Sequence, residues 1–438
     1  MIRMSGIQAE ATGDATSPPG GTTVREAHFA LGSLLMVAIF SHLDRKLLSI
    51  LQEPIKAELG LSDVQLGALT GLAFSVVYTV VALPMSRVTD RVSRKWVIIS
   101  ALVVWSLMTA ASGVAAGFLT LLICRMGVAI GESACTPATM SLLSDFFSSK
   151  KRAFAIAICS MGVPIGTMLG SATGGWLTSE LGWRSAFIHV GLAGLVLVPL
   201  LLLIKEPPRG QFDAAKAKRE IPPPLEAFLS VWRIPSFRLV ILGAAAQTFV
   251  LTTVMAWGAP FYGRVHHMPI EQIGLALAVI FGLGGGLGTF FGGLIAGRLT
   301  AKDARGYAIV PAFAAAASLP LGLAQFLSAG TPASLAFGFL NVLMLSAFIG
   351  PAQACVQTLA RPDMRAFSSA VMLIFTSLIG AGLGPFITGA LSDGLKAAGF
   401  GDGSLRYAVC ITLTMTIVAC ILFVRASNHL SNDINNNE

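Results

Sequence analysis

The sequence predicts an all-α polytopic membrane protein with twelve membrane-spanning helices in two related halves. Two features of its composition support this class. Apolar residues make up 54% of the 438 residues and charged residues only 12%, compared with about 25% charged residues in an average soluble domain. The charges fall in short clusters between apolar runs of about 20 residues, the length of helix that crosses a hydrocarbon layer of about 30 Å.

An internal repeat is the third observation. One set of matches, at a constant offset of 207 positions, pairs Gln65-Leu66-Gly67, Phe74 and Arg91 with Gln272-Ile273-Gly274, Phe281 and Arg298. A second set, at an offset of 213, pairs Arg152-Ala153-Phe154-Ala155 with Arg365-Ala366-Phe367-Ser368. Two matches at nearly equal offsets indicate a six-plus-six duplication. Repeats of this kind form two helix bundles that rock about a central site.

The apolar runs define the individual spans. We place them at residues 28–51, 66–86, 96–117, 118–142, 153–176, 185–204, 237–262, 271–296, 307–327, 333–359, 366–391 and 405–424. The first bundle then covers 28–204 and the second covers 237–424. The proline-containing stretch 205–236 lacks apolar periodicity, so we expect a cytoplasmic linker there. Residues 1–27 and 425–438 are polar, and we expect both to be disordered in the cytoplasm.

Lysine and arginine are distributed unequally between the two sides of the predicted bundle. An even number of spans puts both termini on one side. That side carries 22 of the 30 Lys and Arg residues, and the other side carries 7. The excess of these residues normally lies in cytoplasmic loops. We therefore expect both termini in the cytoplasm.

The residues exclude or disfavour several classes of function. The net charge of +8 is spread over connecting loops and forms no basic stripe with interleaved aromatic residues, which argues against nucleic acid as a partner. All six cysteines lie in apolar segments, where reduced thiols are expected. The chain has no Gly-x-x-x-x-Gly-Lys-Ser/Thr phosphate loop, so a protein driven by ATP is disfavoured. We predict no cofactor and no metal site.

Three ionisable residues lie deep inside the predicted spans. A charge in hydrocarbon costs several kcal/mol, so such residues usually face a cavity. At a rise of about 1.5 Å per residue, Asp44 in the outer third of the first span and Arg125 in the fourth share a depth, and Glu132 lies about 10 Å deeper. We expect Arg125 to pair with Asp44 or Glu132, and a proton on one carboxylate would free the arginine for an anionic group. The alternative is a static pair that fixes helix packing.

Two neighbours of Asp44 are further candidates. His42 lies within one helical turn of it and is either a proton relay or a polar anchor near the membrane interface. Arg45 either belongs to the site or extends to the outer surface.

The second half contrasts with the first, because spans seven to twelve contain no clearly intramembrane charge. Thr248, Thr252, Asn341 and Ser377 are the weak candidates for its cavity wall, although each could equally form a helix–helix hydrogen bond. A cavity that is charged on one wall and oily on the other suits an amphiphile with a small polar head and a long tail.

The loop between spans two and three resembles the signature Gly-x-Leu-Ala-Asp-Arg-x-Gly-Arg-Lys of the major facilitator superfamily. It reads Ser86-Arg87-Val88-Thr89-Asp90-Arg91-Val92-Ser93-Arg94-Lys95. Asp90, Arg91, Arg94 and Lys95 match, while both glycines are replaced by serine. The resemblance implies that Asp90, Arg91 and Arg94 latch the two bundles together on the cytoplasmic side when the transporter is open outward. A solvated, positively charged turn is the alternative interpretation.

The resemblance also suggests a seam between the bundles, because spans five and eight meet across the bundle interface in this superfamily. Span five carries glycines at intervals of four, and span eight carries a similar series. Such ladders let helix backbones approach closely. We expect the sliding seam at Gly166, Gly170, Gly284 and Gly288.

Within the superfamily the chain resembles the spinster family. The residues that carry this likeness are Phe40-Ser41-His42-Leu43-Asp44-Arg45 with Leu48-Ser49, Arg125 with Gly131-Glu132, Gly182-Trp183-Arg184 and Gly382-Leu383-Gly384-Pro385. The resemblance implies a member from the inner membrane of a bacterium, similar to animal exporters of sphingosine-1-phosphate and lysophospholipids. Asp-Arg at the end of the first span also occurs in organic-anion symporters of the superfamily.

Two functions remain open on this evidence. The first is a proton-coupled secondary transporter, expected to be a monomer in the lipid bilayer, that moves a lysolipid-like amphiphile by alternating access. The second is a proton-coupled transporter of small organic anions or drugs. A membrane-embedded hydrolase or acyltransferase that uses His42, Asp44 and Glu132 is disfavoured, because no nucleophile motif accompanies these residues. A channel is disfavoured because duplicated bundles imply alternating access.

Overall fold

The computed structural model describes residues 23–210, 212, 223–361 and 364–435, and this part of the chain is helical with no β-strand. The helices before the linker are α1 (Val24–Leu59), α2 (Asp63–Gly67), α3 (Ala73–Arg91), α4 (Arg94–Ser112), α5 (Phe118–Phe146), α6 (Ser149–Ser160), α7 (Gly162–Leu195) and α8 (Leu197–Leu202). Those that follow are α9 (Pro224–Trp232), α10 (Pro235–His266), α11 (Ile270–Leu277), α12 (Gly285–Thr300), α13 (Gly306–Leu327), α14 (Thr331–Ser346), α15 (Ile349–Leu359), α16 (Arg365–Phe375), α17 (Leu383–Leu395), α18 (Ser404–Leu413) and α19 (Met415–Asn435).

Wider helical turns join several of these helices without a break. The π-helical segments are Ala68–Leu72, Ala278–Gly284, Thr376–Gly382 and Lys396–Phe400, and a short 3₁₀ turn follows at Gly401–Gly403. The first two occupy related positions in the two repeats: Ala68 comes directly after the matched Gln-x-Gly sequence, and Ala278 comes four residues after its repeat counterpart. Segments of this type often occur at functional sites.

Nine helical stretches of the described residues are long and apolar enough to cross a membrane. Two of them have room for two crossings, because Lys151–Leu202 has 52 residues and Arg365–Ile434 has 70, compared with about 20 per crossing. Gly182 at φ 77° interrupts the first stretch, and Gly399 at φ 94° interrupts the second. With α1 added, this arrangement is consistent with the predicted twelve crossings.

The first helix is longer than predicted at both ends. It begins at Val24 with a capping box between Thr23 and Glu26, and it continues to Leu59, where Gly60 in the left-handed region ends it. Asp44 therefore lies near the middle of this longer helix. The predicted disorder of the N-terminal segment is wrong for residues 23–27, while residues 1–22 lie outside the described part of the chain.

The prediction of a disordered C-terminal segment is wrong for residues 425–435. Helix α19 continues to Asn435, because Ala426 and Leu430, one turn apart, are both buried against the bundle. Asp433 accepts a hydrogen bond from the backbone N–H of Ser236 at 2.9 Å. Residues 436–438, and residues 211 and 213–222 of the predicted linker, lie outside the described chain, and the division into two bundles with a linker stays a prediction.

The molecule has two ends that differ in how the halves meet. Near the end of α1, Glu53 accepts a hydrogen bond at 2.6 Å from Arg264, near the end of α10. We call this the far end. The opposite end, at which α1 and α10 begin, is the near end.

Candidate substrate cavity

A cavity of about 380 Å³ lies between the two halves. Helix α1 lines it with His42, Arg45, Lys46 and Ser49. Residues 42, 46 and 49 are four and three positions apart, so they share one helix face. The first half adds Thr70, Phe74, Ser75, Tyr78, Arg125, Val163 and Thr167, and the second half adds Thr248, Thr252, Met255, Ala256, Leu373, Thr376, Ser377, Ala381 and Pro385.

Arg45 forms an ion pair with Glu132 between α1 and α5. The Glu132 side chain is completely buried, whereas the Arg45 side chain is 29% exposed, towards the cavity. The guanidinium also lies 4.6 Å from the ring centroid of Phe74, a cation–π distance. Of the two alternatives for Arg45, the structure has the one in which it belongs to the site, because the buried carboxylate of Glu132 and the ring of Phe74 hold its guanidinium inside the protein.

Arg125 lies beside Asp44, as their shared depth predicted. Its Nη1 is 3.8 Å from Asp44 Oδ1, and both side chains are buried. Thr109 donates a hydrogen bond of 2.6 Å to the other carboxylate oxygen, Oδ2. Asp44 Oδ1 and Arg125 Nη1 make no hydrogen bond within the described chain, so this pair is looser than the one between Arg45 and Glu132. Two ion pairs thus connect α1 to α5 beside the cavity.

The remaining predicted cavity residues differ in where they lie. His42 lines the cavity, and its Nδ1 is 2.9 Å from the carbonyl oxygen of Ala38. Thr248, Thr252 and Ser377 line the opposite wall. Asn341 does not, because it is buried within the second half and donates a hydrogen bond to Gln325 at 2.9 Å. Its place in the cavity wall was wrongly predicted.

Three further residues line the cavity without having been predicted to do so: Lys46, Ser49 and Thr376. The ammonium of Lys46 lies 5.7 Å from the ring centroid of Phe281, in the second half. The signal that could have found Lys46 and Ser49 was helical spacing from His42, since positions i, i+4 and i+7 lie on one face.

The family now follows from sequence comparison, because the profile of the Major Facilitator Superfamily matches residues 34–385. The chain belongs to this superfamily. It is therefore a membrane transporter by family and not an enzyme.

Individual relatives agree with this assignment. A solved bacterial homologue of the human lysosomal transporter spinster, in an inward-facing and unoccupied conformation, is 28% identical, with a TM-score of 0.83 over 94% of this chain and 99% of that one. An MFS-type efflux pump of Mycolicibacterium smegmatis is 30% identical over 94% of this chain and 95% of its own length. A probable L-galactonate transporter of Escherichia coli is 24% identical over 96% and 95%. The resemblance to the spinster family is confirmed.

The superfamily loop forms a different structure from the predicted latch. Arg94 is buried and pairs with Asp145 of the first half and, at 2.8 Å, with Glu206 at the start of the predicted linker. Partial burial alone would raise the pKa of the Glu206 carboxyl, but hydrogen bonds from Ser93 and Arg94 hold it below its usual value. Within the described chain Arg94 bonds no residue of the second half, and a latch in the outward-open state stays a prediction. Arg91 is exposed at the end of α3, and the side chain of Asp90 lies outside the described part.

Among the described residues, the four glycines predicted to form the seam between the bundles do not contact the opposite half. The four glycines contact helices of their own half: Gly166 and Gly170 face α1 at Ile39 and Leu43, and Gly284 and Gly288 face α14 at Phe339 and Leu343. The spacing predicted a close approach correctly. It did not indicate which neighbouring helix makes the approach.

Other glycines form the contacts between the halves of this major facilitator. Gly67 packs so tightly on α17 that an added Cβ would collide with the carbonyl oxygen of Pro385. A Cβ on Gly274 would lie 2.6 Å from the carbonyl oxygen of Ser171 and 3.0 Å from Gly175. Gly67 and Gly274 are repeat partners, so spans two and eight meet the opposite half in the same way.

Polar contacts close the far end. Arg264 donates hydrogen bonds of 2.8 Å to both carboxylate oxygens of Asp63, in addition to its bond to Glu53. Asp393 in α17 accepts hydrogen bonds from the backbone N–H groups of Asp63 and Val64 at 3.1 and 2.8 Å, which places a carboxylate at the start of α2. Within the described chain, all hydrogen bonds between the two halves lie at this end.

Proposed function

We propose that the chain is a proton-coupled secondary transporter that moves an amphiphilic, lysolipid-like substrate by alternating access. One observation carries the proposal: the ion pair of Arg45 and Glu132 has its carboxylate fully buried and its guanidinium at the cavity. Ionisable groups in membrane cavities of this kind are costly and usually functional. The positive-inside distribution supports cytoplasmic termini in a bacterial inner membrane, and we expect a monomer.

The pair of Arg45 and Glu132 couples proton binding to substrate binding, because Arg45 exchanges Glu132 for the substrate when Glu132 is protonated. While Glu132 is ionised, it holds Arg45. A proton on Glu132 removes the negative charge, and Arg45 then becomes available to an anionic head group, to which arginine donates strong charge-assisted hydrogen bonds. Asp44 and Arg125 form a second pair that responds in the same way, with Thr109 retaining Asp44.

The walls of the cavity suit a molecule with one polar end. The cations of α1 and α5 lie on one side, and apolar groups of the second half, such as Met255 and Leu373, lie on the other. A hydrocarbon tail that contacts these groups leaves water, which contributes about 25 cal/mol per Å² of buried apolar surface.

The second candidate is a proton-coupled transporter of small organic anions or drugs. The hydroxyl groups of Thr248, Thr252, Thr376 and Ser377 favour it, since all four residues line the same wall. Hydroxyl groups recognise a polyhydroxylated anion better than a hydrocarbon tail.

The test is uptake by proteoliposomes that contain the purified protein under an imposed pH gradient. We expect the gradient to drive accumulation of radiolabelled 1-oleoyl-lysophosphatidate, measured by extraction with albumin, and we expect glucuronate to show none. Glu132→Gln keeps the shape of the side chain but removes the titratable group, so exchange should continue with no response to the gradient.

Two results would contradict the proposal in different ways. Gradient-driven uptake of glucuronate alone would favour the organic-anion transporter. An unchanged response to the gradient in Glu132→Gln would remove the proton role of this residue. The matched control is Glu271→Gln, which changes a carboxylate at the exposed start of α11.

A further inference from the structure

One cation at the cavity, Lys46, belongs to neither of the two ion pairs. Arg45 is paired with Glu132, and Arg125 lies beside Asp44. Lys46 also lines the cavity, and within the described chain it has no carboxylate within ion-pair distance. Its nearest aromatic group is Phe281, at 5.7 Å. The four charges of the two pairs cancel, so the ammonium of Lys46 gives this part of the cavity a net positive charge.

Lys46 and Arg45 have related surroundings. The guanidinium of Arg45 lies over Phe74, and the ammonium of Lys46 lies over Phe281. These two phenylalanines are repeat partners at the offset of 207. Two consecutive residues of α1 therefore contact equivalent rings, one in their own half and one in the opposite half. The two cations differ in their partners, because Arg45 is paired with the carboxylate of Glu132 and Lys46 has no carboxylate partner within the described chain.

We infer that Lys46 binds the anionic group, a phosphate or a carboxylate, of the transported substrate. This inference rests on the proposed transport function and assigns the charge of its substrate. A cation–π contact contributes about 0.5–2 kcal/mol, whereas a hydrogen bond to a charged group contributes about 1.5–3 kcal/mol. An anion therefore competes well with Phe281 for the ammonium.

The position of Lys46 gives the anion further partners. Ser49 lies three residues later on the same face of α1, about 4.5 Å further along the helix axis, and also lines the cavity. A bound anion lies next to Phe281, which belongs to the second half. The site is therefore complete only where the two halves meet.

The experiment compares three probes on detergent-purified protein. Dissociation constants of 1-oleoyl-lysophosphatidate, of uncharged 1-oleoylglycerol with the same chain, and of glucuronate are measured by microscale thermophoresis. In Lys46→Met we expect the affinity for lysophosphatidate to fall at least about tenfold, which corresponds to about 1.4 kcal/mol. Binding of 1-oleoylglycerol should stay within about twofold. Lys46→Arg should retain lysophosphatidate affinity, and Lys302→Met, in the exposed turn after α12, should equal the wild type.

The outcomes separate this inference from the proposed function. Equal affinity of the wild type and Lys46→Met for every anion overturns the anion site, and so does a wild type that binds 1-oleoylglycerol as tightly as lysophosphatidate. The second comparison needs no variant, so it holds even if Lys46→Met fails to fold. Binding of glucuronate alone, weakened in Lys46→Met, keeps the site and rejects the lysolipid substrate. If the pH gradient drives the same lysolipid uptake in Lys46→Met as in the wild type, the proposed function stands and the anion site is rejected.

Discussion

Arg125 and Asp44 are held inside the first half by each other, and removal of one should cost more than removal of both. Arg125→Met leaves the Asp44 carboxylate buried without its counter-charge, and breaking a buried pair in this way costs about 3–5 kcal/mol. We expect Arg125→Met to lower the free energy of unfolding, measured by titration with sodium dodecyl sulfate. Asp44→Asn combined with Arg125→Met should recover much of the loss. A double variant no more stable than Arg125→Met would mean that Asp44 does not depend on Arg125.

Depth in the membrane could be predicted for single residues, but side-chain direction could not. Asp44 and Arg125 were paired correctly, because the helical rise fixes how far along a span each residue lies. Arg45 was left with two alternative positions, and Asn341 was placed incorrectly. The long side chain of Arg45 can reach several partners, and the sequence does not indicate that a buried Glu132 lies within its reach. Asn341 faces Gln325 because of how α14 rotates against α13, which only the packed bundle determines.

The end of α10 carries the main polar closure between the halves. Arg264 bonds Asp63 and Glu53 of the first half with four hydrogen bonds of 2.6 to 2.9 Å. Each is worth about 1.5–3 kcal/mol where it is buried, and the gap between open and closed states of a carrier is a few kcal/mol. We therefore expect Arg264→Met to open the far end. A membrane-impermeant maleimide added on the far side should label Thr252→Cys, in the cavity wall, at least about tenfold faster.

The matched control for this prediction is Arg184→Met. Arg184 pairs with Glu58 at 2.8 Å at the same end of the molecule, but both residues belong to the first half. Its removal should leave the labelling rate unchanged. Equal rates in the Arg264 and Arg184 variants would mean that packing, and not the ion pairs, keeps the far end closed.

For whole helices, the glycine ladder shows how much of the packing a sequence determines. The four-residue spacing correctly predicted a face of α7 on which another helix backbone approaches closely, and that helix is α1. The contact with α11 uses Gly175, one position after Gly174 in the ladder. One residue turns an α-helix by about 100°, so Gly175 belongs to another face. A lone glycine gives no periodic signal, and this contact could not be predicted.

The molecule as a whole uses its repeat to hold the halves together. Gly67 in the second span and Gly274 in the eighth are equivalent residues, and each lets its helix touch a backbone of the opposite half. A π-helical segment follows each glycine directly or within a turn. The repeat was visible in the sequence, but the far-end closure was not, because Arg264, Asp63 and Asp393 share no motif and meet only when the halves dock.

This symmetry predicts the effect of filling the two contacts. Gly67→Ala forces a methyl group against Pro385, and Gly274→Ala forces one against Ser171. Overpacking of a tight interface costs about 1–3 kcal/mol, and the cost applies only when the halves are closed at the far end. Each variant should therefore shift the population towards the far-open state, seen as faster far-side labelling of Thr252→Cys, with little change in the stability of either half.

The two contacts lie between different helix pairs, so their effects on the closing free energy should add to within about 0.5 kcal/mol in the double variant. Gly293→Ala is the control, because a Cβ there meets no atom within 4 Å. By contrast, Gly288→Ala fills a contact inside the second half and should lower its stability without opening the far end. Labelling rates that rise in Gly288→Ala and stay unchanged in Gly67→Ala would mean that the ladder glycines, and not the repeat pair, control the movement of the halves.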